Sequence, residues 1–302
     1  MEPQKPESLV DGWPARLPED AGKNKHIVDI LIEERAEHLL QSPLWPVYKI
    51  FLYPLLRYGP AVRMADTVAR LSAREGFDYI SDLLRLKVNV EGRENIPAEG
   101  RVLIASTHPT GIADGVAMYD ALKERRPDVI FFANRDALRA APQLKELTIP
   151  VEWVEAKRTP AKSRETLAGV IEAFRDERCI VLFPSGRLAF MNDEKVLTEQ
   201  DWQPSVAIFA RKYDAPLVPA RVQARNSWLY YWFWRLNTEL RDITLFNELL
   251  NKQGKLYRIL FGEVIPSTDL KGDPATVTKA LQIYAEHGLA AGLSWRNPEM
   301  QD

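Results

Sequence analysis

Short apolar runs, nearly free of charge, recur from about Leu86 onward with helix-period segments between them. Arg101–Ser106, Val129–Ala133, Ile149–Val154, Cys179–Phe183 and Leu217–Val222 are each five or six residues long. A strand buried on both faces needs a run of that length and character. A half-exposed strand would alternate, and a helix would need more residues. Val88–Val90 and Tyr257–Phe261 are two further strand candidates, and Asn95–Gly100 reads as a turn. Helices are expected near Asp114–Lys123, Pro142–Leu147, Lys162–Arg175, Gln203–Lys212 and Pro274–His287. In the third of these, Leu167, Val170, Ile171 and Phe174 recur at helical spacing and mark one apolar face. This alternation predicts an α/β fold, a mixed sheet layered by helices. With no repeat and no linker after Gly92, residues 86–302 read as one domain.

The preceding region differs. Residues 1–22 are polar and proline-bearing, lack the apolar core of a signal peptide, and are expected to be mobile. Residues 23–85 read as a helical segment able to associate with a membrane. Within it, Lys25–Leu40 forms an amphipathic helix with Ile27, Ile30, Leu31 and Ala36 on its apolar side. Leu44–Tyr58 mixes aromatics and aliphatics with sparse cations, and Pro46 and Pro54 should divide any helix there. It suits a buried helical hairpin or an interfacial membrane element with Lys49 and Arg57 snorkelling. No stretch reaches the roughly 18–20 apolar residues of a spanning helix. The aromatic run Trp228–Trp234 is likewise open between core and membrane contact or an acyl groove.

Composition excludes several classes. A net charge of −2 with 27% charged residues gives no support for nucleic-acid binding. The single cysteine, Cys179, rules out an intramolecular disulfide and sits in an apolar run as a core residue would. Four scattered histidines suggest no local zinc motif.

One loop carries candidate chemistry. Ser106-Thr107-His108-Pro109-Thr110-Gly111-Ile112-Ala113-Asp114-Gly115 follows a buried strand and opens a helix, at the strand end where α/β proteins place ligand sites. Imidazole titrates near neutrality, so a neutral His108 can take the proton of an attacking hydroxyl. Asp114 lies six positions on, across Pro109 and Gly111. If the loop folds back, its carboxylate accepts from the other ring nitrogen and fixes the tautomer. A purely structural His–Asp pair would show the same spacing. The chain has no Gly-x-Ser-x-Gly elbow, Gly-x-Gly-x-x-Gly loop or Walker A loop.

Three more segments follow in order: Ile149-Pro150-Val151 with Lys157-Arg158, Phe183-Pro184-Ser185-Gly186-Arg187, and Pro216-Leu217-Val218-Pro219-Ala220. With the His108 loop they resemble the four blocks of the glycerolipid (1-acylglycerol-3-phosphate) acyltransferase superfamily, over roughly residues 86–266. That family's first block is Asn-His, four residues, then Asp. Here Thr107 stands for the Asn, and five residues separate His108 from Asp114. The longer spacing, together with Arg225-Asn226-Ser227, Asn247–Lys255 and Phe261–Pro266, resembles the hemolysin-like or lyso-ornithine-lipid acyltransferase branch. The third block is usually Phe-Pro-Glu-Gly-Thr-Arg. Here Ser185 replaces the Glu, and Arg187 follows Gly186 directly.

The resemblance implies an enzyme that moves a fatty acyl group from acyl-CoA or acyl carrier protein to a lysolipid, with no cofactor and no metal. His108 would be the general base and Asp114 its partner. Lys157, Arg158, Ser185, Gly186 and Arg187 would meet the acceptor's phosphate or other acidic headgroup, with third-block N–H groups near the developing oxyanion. Trp45, Trp228, Trp232 and Trp234 are expected at the membrane or in an acyl groove, on an enzyme peripheral to the cytoplasmic face of a membrane. Two other classes fit the same residues: a lipid-binding protein that has lost catalysis, and a lipase-like hydrolase using the dyad on water.

Overall fold

The structure, a computed structural model, describes residues 25–152 and 157–300. The segment 1–22 lies outside the described residues, as do the last two positions of the Ile149–Val154 run. Five helices come first: α1 (Ile27–Glu33), α2 (Glu37–Gln41), α3 (Trp45–Leu55), α4 (Tyr58–Val68) and α5 (Ala73–Leu84). The helix expected over Lys25–Leu40 is therefore two helices. Pro46 occupies the first turn of α3, where a missing N–H costs nothing, and Pro54 falls in its last turn. Arg57, left-handed at φ 54°, turns the chain into α4, and a Ser72/Glu75 capping box opens α5.

The α/β part follows as β1 (Lys87–Glu91), β2 (Val102–Ser106), α6 (Ile112–Leu122), β3 (Ile130–Asn134), α7 (Asp136–Ala140), β4 (Thr148–Val151), α8 (Pro160–Arg175) and β5 (Cys179–Leu182). A small hairpin of β6 (Phe190–Met191) and β7 (Leu197–Thr198) leads to α9 (Ser205–Lys212) and β8 (Leu217–Gln223). Three helices, α10 (Trp228–Leu236), α11 (Thr238–Asp242) and α12 (Leu245–Leu250), precede β9 (Leu256–Phe261) and α13 (Pro274–Ile283). The large sheet has the order β1-β9-β8-β2-β5-β3-β4. Strands β8, β2, β5, β3 and β4 run parallel. β9 is antiparallel to β8 and parallel to β1, so the sheet is mixed.

Alternation within the strands assigns the two layers. Val102, Ile104, Cys179, Val181, Val218 and Ala220 enter the core shared with α4–α6. Leu103, Ala105, Ile180, Leu182 and Leu217 enter the core under α8, α9 and α13. Both faces of the central strands are thus dry, which is why those strands read as unbroken apolar runs. Cys179 is fully buried, and burial pushes its thiol up to about 12, so it is a packing residue and no nucleophile.

Two expectations are corrected. The face of α8 that packs is Val170, Ala173 and Phe174, while Leu167 and Ile171 are exposed. Small residues decide this, because Gly169 brings the helix against Ile149 and the Thr166 hydroxyl donates to Pro150 O at 2.6 Å. Pro142–Glu146 is a 3-10 turn, not an α-helix. The strand expected over Leu217–Val222 runs through Pro219 to Gln223, and the Pro219 carbonyl accepts the Gly262 N–H at 2.8 Å.

Candidate active site

The parallel strands share one C-terminal edge, and the loops leaving it build the site. Past β2, the Thr107 hydroxyl accepts the Val222 N–H at 2.9 Å, tying the loop to β8. The Asn226 amide, beyond β8, donates to Pro109 O at 3.5 Å. Gly111 adopts φ 88°, ψ −130°, where a side chain is strained. An added Cβ would also stand 3.0 Å from Leu188. With this glycine the loop folds back, and Asp114 Oδ2 accepts the N–H groups of Thr110 (2.7 Å) and Gly111 (2.9 Å). The Thr110 hydroxyl donates to Asp114 Oδ1 and meets the Tyr257 hydroxyl at 2.8 Å.

The fully buried Asp114 carboxylate lies 3.1 Å from His108 Nδ1. The ring is turned so that Nδ1 makes no aligned hydrogen bond, a looseness common in active sites before substrate binds. The imidazole stacks on Phe183, with centroids 4.2 Å apart. With Nδ1 held against Asp114, Nε2 is the nitrogen left for a substrate proton. The His108 main chain is held by residues that no sequence motif indicated. Its N–H donates to Glu199 Oε1 at 2.8 Å, and its carbonyl accepts the Ala189 N–H at 3.2 Å.

The third block is already occupied by its own turn. Gly186, at φ 61°, donates its N–H to Phe183 O at 3.0 Å, and the Ser185 hydroxyl donates to Arg187 O at 2.9 Å. Neither group is free in this conformation to receive an oxyanion. Arg187 is exposed.

A cleft of about 900 Å³ opens beside the dyad loop, with Thr110, Ile112 and Leu188 on its near side. Its far side carries Arg35, Arg135, Arg139, Lys157 and Lys162 among carboxylates. Most of these cations have partners: Arg35 with Asp136 (2.5 Å), Arg139 and Lys157 with Glu34 (2.8 and 3.2 Å), and Lys162 with Glu152 (2.9 Å). Arg135 donates Nη1 to Glu165 at 2.6 Å, while its buried Nε and Nη2 have no partner among the described residues. Of the residues expected at the acceptor, Lys157 lines this cleft; Arg158, Ser185, Gly186 and Arg187 do not. Arg158 is exposed and donates to Glu152 O at 3.1 Å.

The aromatic expectations divide. Trp45 is buried in the helical core, and Lys49, above its ring, pairs with Glu33 at 2.8 Å. Neither reaches outward as expected. Arg57, although it donates to Leu250 O at 3.3 Å, stays exposed. Trp234 stacks on Phe190 and lies under Arg241. Trp228 and Trp232, by contrast, are 73% and 49% exposed. Sequence reasoning missed Glu199, Tyr257 and Arg135. For the first two, no local spacing links the residue to the loop it supports.

A family sequence model described as "Acyltransferase" matches residues 87–223. A lyso-glycine lipid O-acyltransferase of Bacteroides thetaiotaomicron is 24% identical over 200 residues, covering 63% of this chain and 71% of that protein. A protein of the same description from Phocaeicola vulgatus is 26% identical over 201 residues, covering 63% and 70%. A crystal structure described as the 1-acyl-sn-glycerophosphate (LPA) acyltransferase PlsC from Thermotoga maritima aligns over 91% of this chain and 98% of that one. That alignment has 15% identity and a TM-score of 0.43, an overlay too loose to transfer any residue's role.

Proposed function

The chain belongs to the glycerolipid acyltransferase superfamily and is a lipid acyltransferase, and on that premise we propose that it transfers a fatty acyl group from acyl-CoA or acyl carrier protein to a lysolipid hydroxyl through a His108–Asp114 dyad. The observation that carries this reading is the 3.1 Å approach of His108 Nδ1 to the fully buried Asp114, beside the cleft that Thr110 and Ile112 line. His108 Nε2 takes the acceptor hydroxyl's proton as that oxygen attacks the thioester carbonyl. The C–S bond breaks, and the leaving thiolate receives the proton from the imidazolium that Asp114 has stabilised. The products are an acylated lipid and a free thiol. The two relatives described as O-acyltransferases support a hydroxyl acceptor.

The cleft is the place for the acceptor headgroup. Arg135 Nε and Nη2 form the side-on fork that matches a carboxylate or phosphate, and here that fork is screened from water and unfilled. Arg135→Lys is expected to raise acceptor KM by roughly tenfold to a hundredfold, the value of one or two charge-assisted hydrogen bonds, and to leave donor KM almost unchanged. Arg158→Ala, outside the cleft, should leave acceptor KM close to wild type. Steady-state kinetics with both substrates varied checks the pair. Equal effects of the two variants would remove the cleft from the account.

Peripheral membrane docking completes the proposal. No helix among the described residues is long and apolar enough to cross a membrane. Ile50 and Phe51 of α3 are nevertheless 69% and 72% exposed, and α10 presents Trp228, Trp232 and Leu236. Helix α2, which packs with α3, is tied to α11 by Glu239, which accepts the His38 and Leu39 N–H groups at 2.9 Å. With Lys49 paired to Glu33 and only Arg57 of the two exposed, apolar burial should carry most of the attachment. Trp228→Ser with Trp232→Ser is expected to reduce co-sedimentation with lipid vesicles while the melting temperature holds. Unchanged sedimentation with a lowered melting temperature would return both rings to a packing role.

A further inference from the structure

Glu199 lies outside all four sequence blocks and 91 positions from His108, yet it grips the catalytic loop. Its Oε1 accepts the His108 N–H at 2.8 Å, and its buried Oε2 has no partner among the described residues. Ala189, at the other end of the same hairpin excursion, donates to the His108 carbonyl at 3.2 Å. Both main-chain polar groups of His108 are therefore held by one excursion, residues 189–199, and not by the sheet. That excursion is itself anchored. Gln282 of α13 donates to Gln200 O at 3.1 Å and accepts the Trp202 N–H at 3.2 Å. The imidazole, by contrast, has only the Phe183 stack and an unaligned approach to Asp114. The position of the ring is thus set through its backbone. The third block has Ser185 where the family has a glutamate, while the carboxyl group that reaches the loop arrives from Glu199.

We propose that Glu199 is a positioning residue of the acyl transfer, holding the His108 backbone so that the imidazole stands over Asp114 and placing a second acid beside that ring. This rests on the His108 reading above. Three ionisable groups act on Glu199: His108 from the loop after β2, Asp114 from α6 and Glu286 from the turn after α13. Burial foremost, reinforced by Glu286 and Asp114 and opposed by the His108 N–H, pushes its acid up to about 7. The direction of the consequence follows. A folded-state value above the ordinary 4.5 means that ionising Glu199 opposes folding. The penalty is absent below about pH 4.5, grows towards pH 7 and is constant above.

The test compares full-length wild type, Glu199→Gln, Glu199→Ala and His108→Ala. Isotope-labelled histidine is followed by NMR at one pH, with His26, His38 and His287 as internal references. In Glu199→Ala, which removes the acceptor of the His108 N–H, the His108 ring signals should shift while the other three stay, and they should return towards wild type in Glu199→Gln, which keeps an acceptor oxygen but loses the charge. The stability gap between this variant and wild type should shift in the variant's favour as pH rises from 4.5 through 7. Glu199→Ala should lower kcat roughly tenfold to a hundredfold, as a misplaced catalytic group does, with donor KM nearly unchanged and Gln restoring much of the loss. Unmoved His108 ring signals in Glu199→Ala, or an Ala defect fully explained by the folded fraction, would overturn the proposal. If the wild type transfers no acyl group, the reaction reading fails separately, and the His108 ring signals still decide the positioning claim.

Discussion

Replacing His108 by Ala is expected to lower acyl transfer by about 10²–10⁴-fold, the usual contribution of a positioned general base, in a protein that still folds. The ring contributes little to the core: its one aromatic contact among the described residues is Phe183. The two main-chain hydrogen bonds of residue 108, to Glu199 and Ala189, survive truncation at Cβ. Asp114→Asn should be comparably inactive for a different reason. An amide in place of Oδ1 or Oδ2 presents N–H either to His108 Nδ1, favouring the wrong tautomer, or to the Thr110 donors. Because Asp114 is fully buried and closes the loop, that variant should also melt earlier, as His108→Ala should not. Turnover and thermal melts of the two proteins separate these effects. Near-wild-type turnover by folded His108→Ala would end the assignment.

The second large effect is on stability. Glu248 and Lys252 form an ion pair at 2.9 Å with both side chains buried. Glu248 also accepts the Ser227 N–H (2.8 Å) and hydroxyl and the amides of Asn247 and Asn251. Ser227 in turn caps α10 by accepting the Tyr230 N–H. Glu248→Leu therefore removes the carboxylate that orients the Ser227 cap of the helix carrying Trp228 and Trp232, and leaves the buried Lys252 with the Asn251 side chain (2.9 Å) but no counter-charge beside it. The expected cost is roughly 3–5 kcal/mol, typical of breaking a buried pair from one side. Lys252→Met should cost less, because Glu248 keeps its other donors, and because burial already pulls the Lys252 ammonium below its ordinary pKa. Urea unfolding monitored through the tryptophans gives the order. A larger loss for Lys252→Met would contradict this description of the network.

How much of this could be read from residues alone follows from where burial is symmetric. Val102–Ser106 and Cys179–Leu182 are dry on both faces, so an apolar run marked each strand without ambiguity. The His108–Asp114 relation was legible because a loop of six positions with a Gly can close on itself locally. Helix faces were less legible. In α8 the packed stripe runs through Gly169 and Ala173, whose small size rather than hydrophobicity lets the helix approach Ile149. Leu167 and Ile171 are accordingly left outside. Composition could not give direction either. Trp45 with Lys49 looks like an interfacial pair, yet Glu33 draws Lys49 inward and the ring follows. Glu199 was invisible because a polar Thr-Glu-Gln stretch carries no periodic signal, and its partner lies 91 residues away. Arg135 was hidden for a related reason, since an unfilled guanidinium edge is a property of packing and not of sequence.

The central claim, acyl transfer to a lysolipid through His108, is tested most directly by a product assay. Purified protein is incubated with a labelled acyl donor, as the CoA and as the carrier-protein thioester, together with a panel of lysolipids bearing phosphate and amino-acid headgroups. The wild type should yield labelled diacylated lipid, with free thiol in equal amount, and His108→Ala should yield neither above background. Free fatty acid as the sole labelled product, or labelled lipid formed equally by His108→Ala, would contradict the account.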